Sequence, residues 1–248
     1  EHFEDALEDG SIKVFVQPLV RAFTGNVCAV EALARWDTPQ GDRLRPDEFI
    51  PVLERARLIH KLDAHVIDFV VRSLRADLDA GNPVVPVSLN VSRVDFDLVD
   101  VFEVVDRAAR SLEIPRDLLR IEVTETAIAE RAGAVRDTIE RFRANGYRVW
   151  IDDFGSGVSS LNVLKDYEVD GLKIDLMFLR NFNESARIIV TSIVRMAKGL
   201  GIHTIAEGVE SADQAAFLKS IGCEMVQGFY YGEPQIASAL LARCQRLG

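Results

Sequence analysis

Near the middle of the chain the apolar run Val149-Trp150-Ile151 ends in two adjacent carboxylates, Asp152 and Asp153, and Phe154-Gly155-Ser156-Gly157 follows at once. Strand interiors seldom hold Asp, and buried charge must be paired or bind metal. A strand cap with an Asx-type turn explains one aspartate easily and two less easily. The chemistry open to such a pair is cation binding by oxygen ligands, so the other strand ends decide its meaning.

Further apolar stretches carry polar residues in comparable places. Glu31 lies among Val27, Ala29, Val30 and Leu33, where a carboxylate needs a cationic partner; Arg35, four residues on, shares its strand face. Asn90 stands at the far end of residues 86–91. In residues 119–125 Glu122 and Thr124 share one face, and Ile121 and Val123 the other. Lys173 and Asp175 share a face in residues 171–175. Glu207 ends residues 203–207 with Glu210 close behind, and Gln227 lies in residues 224–228. Singly, each has a structural explanation: a buried ion pair, a turn, a snorkelling charge, a strand-end hydrogen bond.

The elements that must position these residues alternate between strand and helix patterns. A lead-in helix over residues 3–9 precedes strands over 13–18 and 27–36, with a turn at Thr24-Gly25-Asn26 between them, a hairpin signal. From Pro46 the pattern turns helical, and Leu62, Val66, Phe69, Val70, Leu74 and Leu78 mark a helix stopped by Gly81-Asn82-Pro83. Helices are also expected around residues 97–112 and along Ile128, Val135, Ile139 and Phe142. Others fall at residues 160–165, along Ile188, Ile189, Ile193, Met196 and Leu200, at 211–220, and at the chain's end. About eight strands in this alternation predict one βα barrel across residues 1–248, irregular at the hairpin because parallel neighbours need a longer crossover. A doubly wound open sheet is the alternative fold, but no GxGxxG follows the first strand.

In such a barrel the C-terminal strand ends form one rim. Glu31, Asn90, Glu122, Asp152, Asp153, Lys173, Asp175, Glu207, Glu210 and Gln227 would gather there. Two bare carboxylates about 4 Å apart repel by roughly 4 kcal/mol at an effective dielectric of 20, so the cluster needs cations. An all-oxygen set with one amide carbonyl suits Mg2+ or Mn2+; zinc is disfavoured because no His or Cys joins. His203 begins its strand, at the opposite end. A two-metal hydrolytic site is the reading these residues favour.

Composition narrows the partners. A net charge of −10 argues against binding DNA or RNA polymers. Cys28, Cys223 and Cys244 have no CxxC spacing and read as reduced thiols. No apolar run reaches the roughly 18 residues of a membrane span, and no signal-peptide pattern opens the chain. The expectation is a cytoplasmic domain without direct membrane contact. Starting at Glu1, it is expected to be cut from a longer multidomain protein, which could itself be membrane-anchored.

The residues also resemble a known family, the EAL cyclic di-GMP phosphodiesterases, from about Phe15 to Pro234. The matching pieces are Gln17-Pro18, Glu31-Ala32-Leu33 with Arg35-Trp36, Glu48-Phe49-Ile50-Pro51, Val87-Ser88-Leu89-Asn90-Val91-Ser92 and Glu122-Val123-Thr124-Glu125. Asp152-Asp153-Phe154-Gly155, Leu172-Lys173-Ile174-Asp175, Ala206-Glu207-Gly208-Val209-Glu210 and Gln227-Gly228 complete them. The resemblance implies a modified TIM (β/α)8 barrel that hydrolyses cyclic di-GMP to linear pGpG with two Mg2+ or Mn2+ ions, as a homodimer. By resemblance the metal ligands are Glu31, Asn90, Glu122, Asp152 and Asp153, the general base is Glu207, and Lys173 orients water or steadies phosphate charge. Gln17, Leu33, Arg35, Asp175 and Gln227 are implied substrate contacts. Glu125 holds the loop after the fifth strand, and Glu210 supports the metal site. Two positions depart from the family pattern: Val158 replaces an aromatic, and Leu176 stands where Arg commonly follows Lys-Ile-Asp. A non-catalytic cyclic di-GMP receptor is the competing expectation. A glycoside hydrolase would need only two of these carboxylates.

Overall fold

The computed structural model describes residues 2–38, 41–156 and 160–237. Its strands are β1 (Ile12–Arg21), β2 (Val27–Asp37), β3 (Arg43–Leu44), β4 (Val87–Val91), β5 (Leu119–Thr124), β6 (Arg148–Phe154), β7 (Gly171–Ile174), β8 (His203–Ala206), β9 (Met225–Val226) and β10 (Gln235–Ile236). Its helices are α1 (Phe3–Glu8), α2 (Pro46–Arg55), α3 (Ile59–Asp79), α4 (Asp95–Leu98), α5 (Val101–Ser111), α6 (Glu125–Glu130), α7 (Ala132–Ala144), α8 (Ser160–Asp166), α9 (Met177–Arg180), α10 (Glu184–Leu200) and α11 (Ala212–Ser220).

Strands β1, β2 and β4 to β9 close into an eight-stranded barrel. β2 runs parallel to β4, and the parallel pairing continues to β9. β1 is antiparallel to both neighbours, β2 and β9, as the hairpin requires. Gly25, at φ +76°, donates to the Arg21 carbonyl at 2.8 Å and makes that turn. The short strands β3 and β10, not expected from sequence, extend the sheet beyond β2 and β1.

Inward positions repeat every two residues along a strand. Leu19, Ala29, Trp150, Ile205 and Met225 pack together inside the barrel as an apolar floor. Two residues toward the C-terminal rim stand Gln17, Glu31, Asp152, Glu207 and Gln227, all polar. On β7 the floor position is Gly171, because a Cβ there would lie 2.3 Å from the Trp150 ring. Trp150 fills that space, and Lys173 rises above it. The main core lies outside the barrel, between the outward strand residues and helices such as α3, α5, α7 and α10.

The departures from expectation have physical causes. Residues 97–112 divide into α4 and α5 because Asp100 caps a new helix, accepting the Glu103 N–H at 3.1 Å. The fourth strand stops at Thr124, whose hydroxyl accepts the Ala127 N–H and starts α6 one residue early. On α10 the apolar stripe is out of phase: Ile188, Ile189 and Leu200 are exposed, while Ala186, Val190, Ile193, Val194 and Ala197 face the core. The isoleucines outweigh the smaller residues by hydropathy, but 3.6-residue periodicity selects the Ala/Val face. The helix expected at the chain's end, and Val158, lie outside the described residues.

Candidate active site at the C-terminal rim

Each strand end delivers its polar side chain to one place, and Lys173 sits at the centre. Its Nζ lies 2.6 Å from Glu207, 2.7 Å from Glu122, 3.0 Å from Asp152 and 3.5 Å from Glu31, with the lysine essentially fully buried. Glu31 accepts from Asn90 Nδ2 at 2.8 Å and from Gln227 Nε2 at 2.7 Å. Gln227 also donates to Gln17 Oε1 at 3.1 Å, and Gln17 donates to the Gly232 carbonyl at 3.1 Å. Asp152 accepts the Asp153 N–H at 2.9 Å, with Asp153 in the left-handed region at φ +53°. Strain of this kind in a non-glycine residue is retained where the surroundings over-determine it, often at functional sites.

The electrostatics follow from burying many acids around one base. Burial chiefly, then repulsion from Glu31 and Asp152, pushes Glu122 up to about 7 although Lys173 opposes it. Glu207 is raised well above the carboxylate range, by burial first and by Asp152 and Glu31 besides. Glu31 falls below its ordinary value: Lys173, Asn90 and Gln227 together outweigh its burial. Asp153 is pushed up to about 6 by withdrawal of water, then by Asp152 and Asp175. The four acids hold Lys173 well above the normal lysine range against its own burial.

The donor set suits a hard divalent cation. Oxygens of Asp152, Asp153 and Glu207 all lie within 4.8 Å of one another. Glu122 Oε1 is buried without a hydrogen-bond partner, a ligand oxygen left over from the network. Two cavities flank this centre. One of about 300 Å³ includes Glu31, Asp152, Lys173, Glu207, Arg180 and Phe229 in its lining. The other, about 430 Å³, includes Asn90, Ser92, Arg93, Thr124 and Asp153. A larger hollow of about 860 Å³ opens at the opposite end of the strands, but its Arg143 and Arg148 are neutralised by Glu168 and Asp170.

The remaining expected residues divide. Gln17 and Gln227 join the acid network, and Glu210 lines the smaller cavity. Arg35 donates to the Ala34 carbonyl at 2.8 Å, so the cation beside Glu31 is Lys173 and not Arg35. Leu33 is half-buried on the same strand. Asp175 accepts the Met177 N–H at 2.6 Å at the start of α9. Glu125 is buried and accepts the Gly155 N–H at 3.0 Å, tying the turn after β6 to α6. His203 sits at the far end, against Glu224 and stacked on Trp150. The sequence pattern missed Arg180 and Phe229, which line the cavity from loop positions without strand periodicity.

A βα barrel with one antiparallel strand and a carboxylate rim around a buried lysine defines a class. The chain belongs to the EAL domain family, whose family model matches residues 1–234. It is 35% identical, over 96% of its length, to the bifunctional diguanylate cyclase/cyclic di-GMP phosphodiesterase MucR of Pseudomonas aeruginosa, of which the match covers 35%. It is 33% identical to the cyclic di-GMP phosphodiesterase PdeR of Escherichia coli K12, over 94% of this chain and 35% of that protein. The chain thus spans about a third of the length of these curated relatives. Among solved structures, a MucR phosphodiesterase in complex with c-di-GMP matches with a TM-score of 0.91 at 34% identity, covering 97% of this chain and 98% of that one. Among the described residues no helix is long and apolar enough to cross a membrane.

Proposed function

We propose that this chain is a phosphodiesterase that hydrolyses cyclic di-GMP to pGpG, using two divalent ions, Mg2+ or Mn2+. The observation that carries the reading is the intact rim: Glu31, Glu122, Asp152 and Glu207 all converge on Lys173, and Glu122 keeps a buried oxygen without a partner. Glu31, Asn90, Glu122, Asp152 and Asp153 would hold the ions. When bound, they supply charge neutralisation for the attacked phosphate and a more acidic attacking water.

The chain's own groups do the rest. Glu207 accepts the proton of the attacking water, held at the centre by its 2.6 Å ion pair with Lys173. Water oxygen bonds to phosphorus and the P–O3′ bond breaks, the released O3′ taking up a proton from solvent to become a 3′ hydroxyl and leaving the 5′ phosphate of pGpG. Lys173, permanently charged, offsets negative charge gathering on the phosphoryl oxygens. Gln17, Leu33, Arg35, Asp175 and Gln227 form the substrate side, Glu125 steadies the Gly155 turn, and Glu210 supports the metal side. Residues 1–248 act as one catalytic barrel, in the cytoplasm and as a homodimer; Ile188 and Ile189, exposed on α10, are apolar surface available to a second copy.

The test is incubation of the purified domain with cyclic di-GMP and Mg2+ or Mn2+, resolving products by chromatography. Appearance of pGpG is expected; binding without pGpG would make the domain a receptor. Glu207→Ala is expected to retain substrate and lose turnover, and near-normal turnover would refute the base assignment.

A further inference from the structure

Among the described lining residues of the smaller rim cavity there are two cations, Lys173 and Arg180. Lys173 is committed to four carboxylates. Arg180 is exposed, and no ion pair or side-chain hydrogen bond is formed by it among the described residues, although Glu207 and Glu210 line the same cavity. In the other cavity the arginine is already engaged: Arg93 meets Glu130 at 2.8 Å. Among the described lining residues of the two cavities, Arg180 is therefore the guanidinium with its donors free.

Its placement is fixed by packing. The Arg180 N–H bonds to the Leu176 carbonyl at 3.1 Å, so Arg180, the last residue of α9, sits one helical turn beyond Leu176, the residue that precedes the helix. Leu176 in turn lies against Gly208: a Cβ on that glycine, which has φ +70°, would be 2.6 Å from the leucine Cβ. This close approach holds α9 to the cavity wall. Past Gly208 and Gly228 the lining reaches Phe229, a residue 62% exposed. An open aromatic ring lining the same cavity as a free planar fork of donors suits a purine: the ring offers a stacking face, and the guanidinium bonds an edge with two acceptors. With the scissile phosphate at the acids, the part of a cyclic dinucleotide that extends away from it into such a cavity is a base.

We infer that Arg180 is a specificity-determining residue, donating both arms of its guanidinium to O6 and N7 of one guanine of the substrate. This rests on the proposed cyclic di-GMP hydrolysis and adds a contact at a position the sequence pattern did not single out. Adenine, with a donor in place of O6, would meet the fork with a clash of donors.

The test is a cycle of kinetic constants on the metal-loaded protein. Wild type, Arg180→Met and Arg180→Lys are each assayed with cyclic di-GMP and with its 7-deazaguanine analogue, which lacks N7. Wild type is expected to lose roughly tenfold in kcat/KM on the analogue, mostly through KM. Arg180→Met should raise KM for cyclic di-GMP by roughly tenfold to a hundredfold and no longer distinguish the two substrates. Arg180→Lys keeps the charge without the fork and should behave like Met. If the analogue costs the same in wild type and Arg180→Met, or if KM does not change, the assignment fails. A lysine variant with wild-type selectivity also overturns it. A wild-type protein inert toward cyclic di-GMP would instead defeat the underlying phosphodiesterase reading.

Discussion

Replacing Lys173 by Met removes the single cation from a buried group of four carboxylates while nearly keeping the side-chain volume. At an effective dielectric of 20, a unit pair at 2.7 Å attracts by about 6 kcal/mol, and desolvation consumes much of that. Removing one partner of a buried ion pair costs about 3–5 kcal/mol net, because the charge left behind is uncompensated. For a domain of this size that corresponds to a fall in Tm of roughly 10 °C. The pH dependence has a definite sign. Glu122 is pushed up to about 7 even with Lys173 present, so its protonated form is favoured in the folded state. Its contribution is complete below the unfolded value near 4.3 and is lost as pH rises through about 7. Without Lys173 the carboxyls rise further, so Lys173→Met should be weakest at pH 8 and recover much of the deficit at pH 5. Millimolar Mn2+ at pH 8 should also restore Tm, since an ion bound by the folded state replaces the missing charge. Thermal melts at both pH values, with and without Mn2+, read all three effects. A deficit equal at pH 5 and pH 8 and unmoved by Mn2+ would refute the electrostatic account and leave packing as Lys173's contribution.

Two further outcomes follow from the geometry. Asp63 lies beside the buried Asp95 and is raised well above its ordinary value, by loss of water first and by Asp95 next; Asp95 is raised as well, chiefly by burial. A raised carboxyl stabilises the fold at low pH and loses that contribution as pH rises, so Asp95→Asn should stabilise the fold at pH 8 by about 1 kcal/mol, read as a higher Tm in a thermal melt, and change little at pH 4. A loss at pH 8 would contradict the repulsion. Gly171→Ala would drive a Cβ into the Trp150 ring, so denaturant melts should show a loss of about 1–3 kcal/mol or more; an unchanged midpoint would mean the barrel floor can yield.

Much of the candidate site was legible because strand periodicity is rigid. An inward apolar residue at Ala29, Trp150, Ile205 or Met225 fixes the next inward residue two positions on, and those are Glu31, Asp152, Glu207 and Gln227. The hairpin was legible from Thr24-Gly25-Asn26, where Gly25 takes its positive φ. Helix phase was less so: on α10 the larger side chains, Ile188 and Ile189, face outward, and the smaller Ala186 and Val190 pack inward with Ile193, Val194 and Ala197 on one helical face. Arg180 escaped notice because it leaves α9 next to a loop, where no repeat constrains direction.

The sequence by itself determined the acids, their strand ends and the alternation that aims them inward, because a pleated strand has only two faces. Only closure of the barrel decided which charges share one space. It paired Glu31 with Lys173 instead of Arg35, although Arg35 is the nearer in sequence, because β2 and β7 face each other across the lumen and Arg35 bonds the Ala34 carbonyl. Adjacent carboxylates at Asp152 and Asp153 became parts of one centre flanked by two cavities for the same reason. Charge interactions fall off with distance through space, and distance through space is set by tertiary structure.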